Sequence, residues 1–179
     1  MIPASALGER IMIIGPSNAG KSTLALALAA KLKLPVTHLD QLHHLPNTDW
    51  RPRPEAEFKA LHDQAISAPS WIIEGNYSRY MPKRFERATG AILITSNRWL
   101  RLARYLKRTV ISTSIRAGHL EGGREYVKWS MIDWILFKSP QRTTQNLKAM
   151  RAINIPTIEC HTIKELKAIY QEWELPSAD

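Results

Sequence analysis

Gly15-Pro16-Ser17-Asn18-Ala19-Gly20-Lys21-Ser22 matches G-x-x-x-x-G-K-[ST] at each fixed position, and its flanks supply the setting that the motif needs. Ile11-Met12-Ile13-Ile14, just before it, is a short apolar run suited to a buried strand. From Thr23 to Leu32 the chain is rich in Ala and Leu without a breaker, which predicts a helix. A turn between strand and helix collects successive backbone N–H groups at the positive end of the helix, where they can wrap a diphosphate. Gly15 and Gly20 permit the backbone angles and close approach that a Cβ would obstruct. The expected nucleotide-binding set is Gly15, Pro16, Ser17, Asn18, Ala19, Gly20, Lys21, Ser22 and Thr23. Lys21 reaches the outer phosphates as a point charge, and the Ser22 hydroxyl is placed to ligate Mg²⁺.

Composition narrows the remaining classes. At 179 residues, with 44% hydrophobic and 23% charged, the chain suits one soluble domain with a sizeable core. Cys160 is the single cysteine, so no internal disulfide can form, in keeping with a reducing cytoplasm. It falls in an apolar stretch and reads as a buried, inert thiol. No apolar run is long enough to cross a bilayer, and no membrane partner is expected. The +9 charge is uneven: residues 79–151 hold 16 Lys/Arg against 4 Asp/Glu. Such a block can hold polyphosphate, bind nucleic acid without sequence preference, or form a solvated face. No zinc-finger, RRM or basic-zipper pattern favours nucleic-acid reading, so nucleic acid is the secondary expectation.

Two acids close apolar strands. Val36 to Leu39 predicts a second strand with Asp40 at its carboxyl end, the end at which ligands sit in open α/β sheets. Asp40 there can orient or deprotonate an acceptor or hold a Mg²⁺-bound water; as a cap or turn residue it would do neither. Trp71-Ile72-Ile73 predicts a third strand that ends at Glu74-Gly75-Asn76-Tyr77, making Glu74 a rival metal-organising acid. His38, His43 and His44 lack a companion pair at a closed zinc spacing; His43 and His44 are placed in a loop.

The basic half supplies arginines. Trp99 to Arg116 reads as a long helix carrying Arg101, Arg104, Lys107 and Arg108. Arg104 and Arg108, four apart, share a face and either meet an anion or lie solvated. Gly118-His119-Leu120-Glu121-Gly122-Gly123 suits a mobile lid, and Lys138-Ser139-Pro140-Gln141-Arg142 follows the next helix. Arg124 and Arg142 are the candidates to reach a transferring phosphate, unless the loops are merely basic. Strands at 91–95 and 153–160, with helices at 55–67, 82–88, 141–151 and 163–173, complete an alternating pattern that predicts an α/β layer fold with a five-stranded parallel sheet. Thr162 and Glu165 are spaced for a capping box.

Gly15–Ser22, His38-Leu39-Asp40-Gln41-Leu42, Trp71-Ile72-Ile73-Glu74-Gly75-Asn76-Tyr77-Ser78 and the run from Arg98-Trp99-Leu100 to Arg104 and Lys107-Arg108 together resemble the FlaR-like topology modulation proteins, in the adenylate-kinase-like group of P-loop proteins. The resemblance extends to about Leu147. It departs from the family at Glu74, where Asp is common, and at Ser96-Asn97, where a Pro-containing turn is common. It implies a three-layer P-loop NTPase fold, strand order 2-3-1-4-5, an arginine-bearing lid within 99–145, and ATP with Mg²⁺. On this expectation ATP's γ-phosphate passes to a small molecule or nucleotide, with Lys21, Asp40, Arg104, Arg108 and Arg142 catalytic and Ser22, Glu74 and Asp40 at the metal. The alternative is a nucleotide-dependent regulatory ATPase that binds DNA and alters its topology.

Overall fold

The computed structural model describes residues 2–111, 118, 120–121 and 126–176, the side chains of 108 and 111 excepted. β1 (Arg10–Ile14) lies at the middle of a parallel sheet. β3 (Trp71–Glu74) and then β2 (Val36–His38) flank it on one side, β4 (Gly90–Ile94) and β5 (Thr157–Cys160) on the other, giving the order 2-3-1-4-5. Around the sheet run α1 (Lys21–Leu32), α2 (Leu39–His43), α3 (Glu55–Ser67), α4 (Met81–Arg87), α5 (Arg98–Ile111), α6 (Trp129–Asp133), α7 (Ser139–Arg151) and α8 (Ile163–Glu172).

Alternation along the strands sorts these helices into layers. In β1 the side chains of Ile11 and Ile13 join Leu24 and Leu28 of α1 and Ile169 of α8 in one cluster. Met12 and Ile14 point the other way, toward Leu39, Ile66, Trp71, Met81 and Met150. Both faces of the sheet are therefore covered, which is why the inner strands β1, β3 and β4 read as nearly continuous apolar runs. Each fully buried Ile or Leu contributes about 1.5–3 kcal/mol, so the two clusters dominate the stability. Because all strands are parallel, the segments that leave β1, β2, β3 and β4 emerge on one rim.

Several boundaries differ from expectation, each for a local reason. β2 ends at His38, and Leu39 already opens α2, so Asp40 lies in a first helical turn and His43 in the last turn of that helix, not in a loop. β5 begins at Thr157, after Pro156, which cannot donate to a ladder. The segment before the helix expected at 141–151 is helical too: a turn of π-helix at Trp134–Lys138 runs straight into α7, and Arg142 is helical as expected. Pro140 has no N–H to offer the carbonyls of Ile135 and Leu136. Those carbonyls accept from α5 instead, Ile135 O from Arg101 Nη2 at 3.0 Å and Leu136 O from Arg98 Nη1 at 3.4 Å. Arg101 also donates from Nη1 to Ser139 Oγ at 2.9 Å, and is buried. At the head of α5, Asn97 Oδ1 accepts from Trp99 N at 2.8 Å and caps the helix. The capping box of Thr162 and Glu165 is present at α8.

Candidate functional site

The loop between β1 and α1 is shaped by contact with β4. Gly15 has φ +147°, and a Cβ on it would lie 2.0 Å from Ile94 O, so only glycine passes. Its N–H donates to Asn76 Oδ1 at 2.9 Å, which ties the loop's first residue to the segment after β3. The loop ends at Gly20, which caps α1 without a side-chain hydrogen bond. The first amides of this 12-residue helix therefore face the loop's hollow with no intrahelical partner. Lys21 Nζ donates to Pro16 O at 3.1 Å, so its ammonium lies back over the loop.

Three side chains from three elements meet beside that lysine. Ser22 Oγ donates to Glu74 Oε1 at 3.0 Å, and His38 Nδ1 lies 2.9 Å from the same oxygen. The parallel register brings them level, since His38 of β2 and Ile13 of β1 both stand opposite Glu74. Glu74 is only 3% exposed. Burial alone would push its carboxyl up, yet the His38 bond, the Lys21 charge and the Ser22 hydroxyl hold it below the usual carboxylate range. The result is a buried, ionised carboxylate that organises a hydroxyl, the donor set for a hard divalent cation that keeps its waters. Among the described residues, no group of three or more His, Cys, Asp and Glu side chains is gathered for a metal ion.

Asp40 stands on a second branch of the site. Its Oδ1 accepts from Tyr77 Oη at 2.7 Å. Burial, then the Asp40 charge and bond, push the Tyr77 phenol upward, so it remains the donor at any physiological pH. The Tyr77 ring sits 4.8 Å from His43 and 5.1 Å from Phe58 between centroids, which fixes where its hydroxyl points. Asp40 is thereby held beside the rim, bonded to the turn residue that follows Glu74 and Asn76.

The arginines divide. Arg104 is half-buried on α5. Arg142 is exposed on α7, with its guanidinium 5.3 Å from the Trp134 ring centroid. The Arg108 side chain and all of Arg124 lie outside the described residues. Two arginines that the sequence counted in a basic block, Arg84 and Arg101, are fully buried and bonded to main-chain carbonyls. His38 was legible as a residue of the second strand, yet only the register shows that it meets Glu74.

A central phosphate-loop strand, order 2-3-1-4-5 and flanking helices define the P-loop kinase fold. Solved structures agree. A gluconokinase from Sinorhizobium meliloti 1021 superposes with TM-score 0.57 at 16% identity, over 93% of this chain and 90% of that one. A shikimate kinase from Bacteroides thetaiotaomicron gives TM-score 0.53 at 18% identity, over 93% and 96%. No protein-family model and no curated protein matches the chain in sequence, so the FlaR-like resemblance rests on its quoted motifs. Among the described residues, no helix is long and apolar enough to cross a membrane.

Proposed function

We propose that the chain is an ATP-dependent phosphotransferase that moves the γ-phosphoryl group to a hydroxyl of a small molecule or nucleotide. The observation that carries this reading is Glu74, kept ionised while buried, bonded to Ser22 and acted on by the charge of Lys21 at the mouth of the phosphate loop. The solved kinases of this fold support it.

The residues divide the work as follows. The amides from Gly15 to Thr23 and the Lys21 ammonium bind the phosphates of ATP. Ser22 hydrogen-bonds to Glu74 with its hydroxyl proton, which leaves its oxygen lone pairs free, so Ser22 and Glu74 would together hold Mg²⁺, an ion that would supply charge neutralisation for the phosphate oxygens. Asp40 accepts the acceptor's hydroxyl proton as the new bond from that oxygen to the γ-phosphorus forms. The bond from the γ-phosphorus to the bridging oxygen breaks, and ADP leaves with that electron pair. Arg104, Arg108 and Arg142 come from the helices nearest the lid region to offset charge on the transferred group.

The test is incubation of the purified protein with Mg-ATP and panels of nucleotides, sugars and hydroxy acids, read by mass spectrometry. A phosphorylated acceptor is expected, and Lys21→Ala should bind ATP about 10–100-fold more weakly, the loss of one charge-assisted bond. Release of inorganic phosphate alone, whatever the acceptor, would overturn the reading.

A further inference from the structure

Arg84 is a charged side chain of the interior that the phosphate-transfer reading leaves without a task. It is 0% exposed and comes from α4, behind the turn that follows β3. Its Nη1 donates to Gly75 O at 2.7 Å, and its Nη2 donates to Asn76 O. Its Nε has no hydrogen-bond partner, and burial pulls the guanidinium down to about 10, with the Glu74 charge acting against that fall. The cation thus persists at neutral pH in a place where an unpaired charge would be expelled.

What this cation grips is the junction of the site. Residues 74–77 touch each working part in turn. Glu74 takes Ser22 and His38, Asn76 takes the Gly15 amide, and Tyr77 takes Asp40. The turn is also conformationally costly. Gly75 has φ +123° and Tyr77, with a full side chain, has φ +39°. A left-handed tyrosine persists only where its surroundings over-determine it. The two carbonyl bonds from Arg84 are that constraint, because they fix the peptide planes between the two left-handed residues.

Resting on the phosphotransferase reading, we infer that Arg84 is a positioning residue that sets the 75–77 turn and so couples the phosphate loop, through Asn76 and Gly15, to the acceptor acid Asp40, through Tyr77. It touches neither substrate. Two bonds to two successive carbonyls call for the guanidinium fork, which an ammonium cannot reproduce.

The experiment compares the parent with Arg84→Lys, Arg84→Met and Asn76→Ala. Amide exchange at Gly15 and ATP affinity by calorimetry are read alongside thermal unfolding. In folded Arg84→Lys, Gly15 should lose protection at least about tenfold while Met12 and Ile13 in the ladder keep theirs, and ATP should bind about tenfold more weakly, as when a supporting partner of a site is removed. Adding Asn76→Ala to Arg84→Lys should weaken ATP no further than Asn76→Ala does alone. Unchanged Gly15 protection and ATP affinity in a folded Arg84 variant would overturn the inference, as would full additivity. Should neither Arg84 variant fold, Asn76→Ala decides: parent-like affinity there overturns the coupling, and a tenfold loss supports it. If the parent itself fails to bind ATP, the phosphotransferase reading falls, while Gly15 exchange still decides whether Arg84 governs the turn.

Discussion

The hydroxyl of Ser22 donates to Glu74 Oε1 at 3.0 Å. A serine that gives its proton to a carboxylate turns its lone pairs the other way, toward the loop. Glu74→Gln keeps the shape of the side chain and removes its charge. Removing such a supporting partner typically costs a metal site 10–100-fold in affinity, and about that loss of Mg²⁺ affinity is expected in the presence of ADP. Titration of Mg²⁺ at fixed ADP, read by calorimetry, measures it. Unaltered Mg²⁺ dependence would remove Glu74 from the metal's surroundings.

The same carboxyl makes stability depend on acid pH. Its folded pKa lies below the ordinary 4.5, with burial opposed by the His38 bond, the Lys21 charge and Ser22. A depressed carboxyl adds stability above its unfolded pKa, and that stability is lost as pH falls through the folded value. Thermal midpoints of the parent should therefore drop as pH falls below 4.5, where Asp63, held down to about 2 by Lys83 and Lys59, still keeps its charge. Glu74→Gln should be less stable than the parent at pH 7, and the gap should narrow toward pH 3. A gap that widens in acid would contradict the sign.

Much of this site was readable beforehand because its chemistry is local. The phosphate loop needs a glycine-punctuated turn between a strand and a helix, and residues 11–32 state that in one run. The sheet's apolar strands announce themselves because both faces are covered. The strand order came only through the family resemblance, since nothing within a strand says which neighbour it will choose. Arg84 and Arg101 were out of reach for a different reason. In sequence an arginine among other cations reads as solvated, and only the carbonyls freed by the 75–77 turn and by Pro140 bring these two inside. Asp40 was placed one element too early because β-branched Val36 and Thr37 with Leu39 read as one strand, whereas Leu39 already opens α2 and packs in the cluster of Met12 and Ile14.

Gly15→Ala tests the loop's passage beneath β4. The added methyl would lie 2.0 Å from Ile94 O, and φ +147° is closed to alanine. The loop or β4 must shift, at a cost of more than about 2 kcal/mol if the fold is kept. Urea unfolding should show that loss, together with weaker ATP binding. Parent-like stability would mean that the loop can relax without cost.

Cys160 tests the interior of the last strand. Its side chain is fully buried, and burial pushes the thiol up to about 11, with Glu165 adding to the rise. At pH 8 only ~0.1% would be thiolate even if reagents could reach it. A chromogenic disulfide reagent should leave the folded protein unmodified for hours and react fully once the chain is unfolded. Rapid labelling of the native protein would show that β5 opens.

Asp40 and Tyr77 give the sharpest separation of binding from chemistry. The Asp40 carboxylate is bonded to Tyr77 of the 74–77 turn, so its charge can be removed with the loop's own bond from Gly15 to Asn76 left in place. Asp40→Asn keeps an oxygen for the Tyr77 hydroxyl, so the 2.7 Å bond has a partner and the His43–Tyr77–Phe58 stack should hold. It loses the basic site that takes the acceptor's proton. General-base removal typically costs 10²–10⁴-fold in rate, and that fall in kcat is expected with ATP affinity within about twofold of the parent. Tyr77→Phe keeps the stacked ring and the acid but frees the carboxylate to turn. Its kcat should fall less, and its KM for the acceptor should rise. Equal losses of ATP affinity in both variants would instead make Asp40 part of the nucleotide's own binding surface.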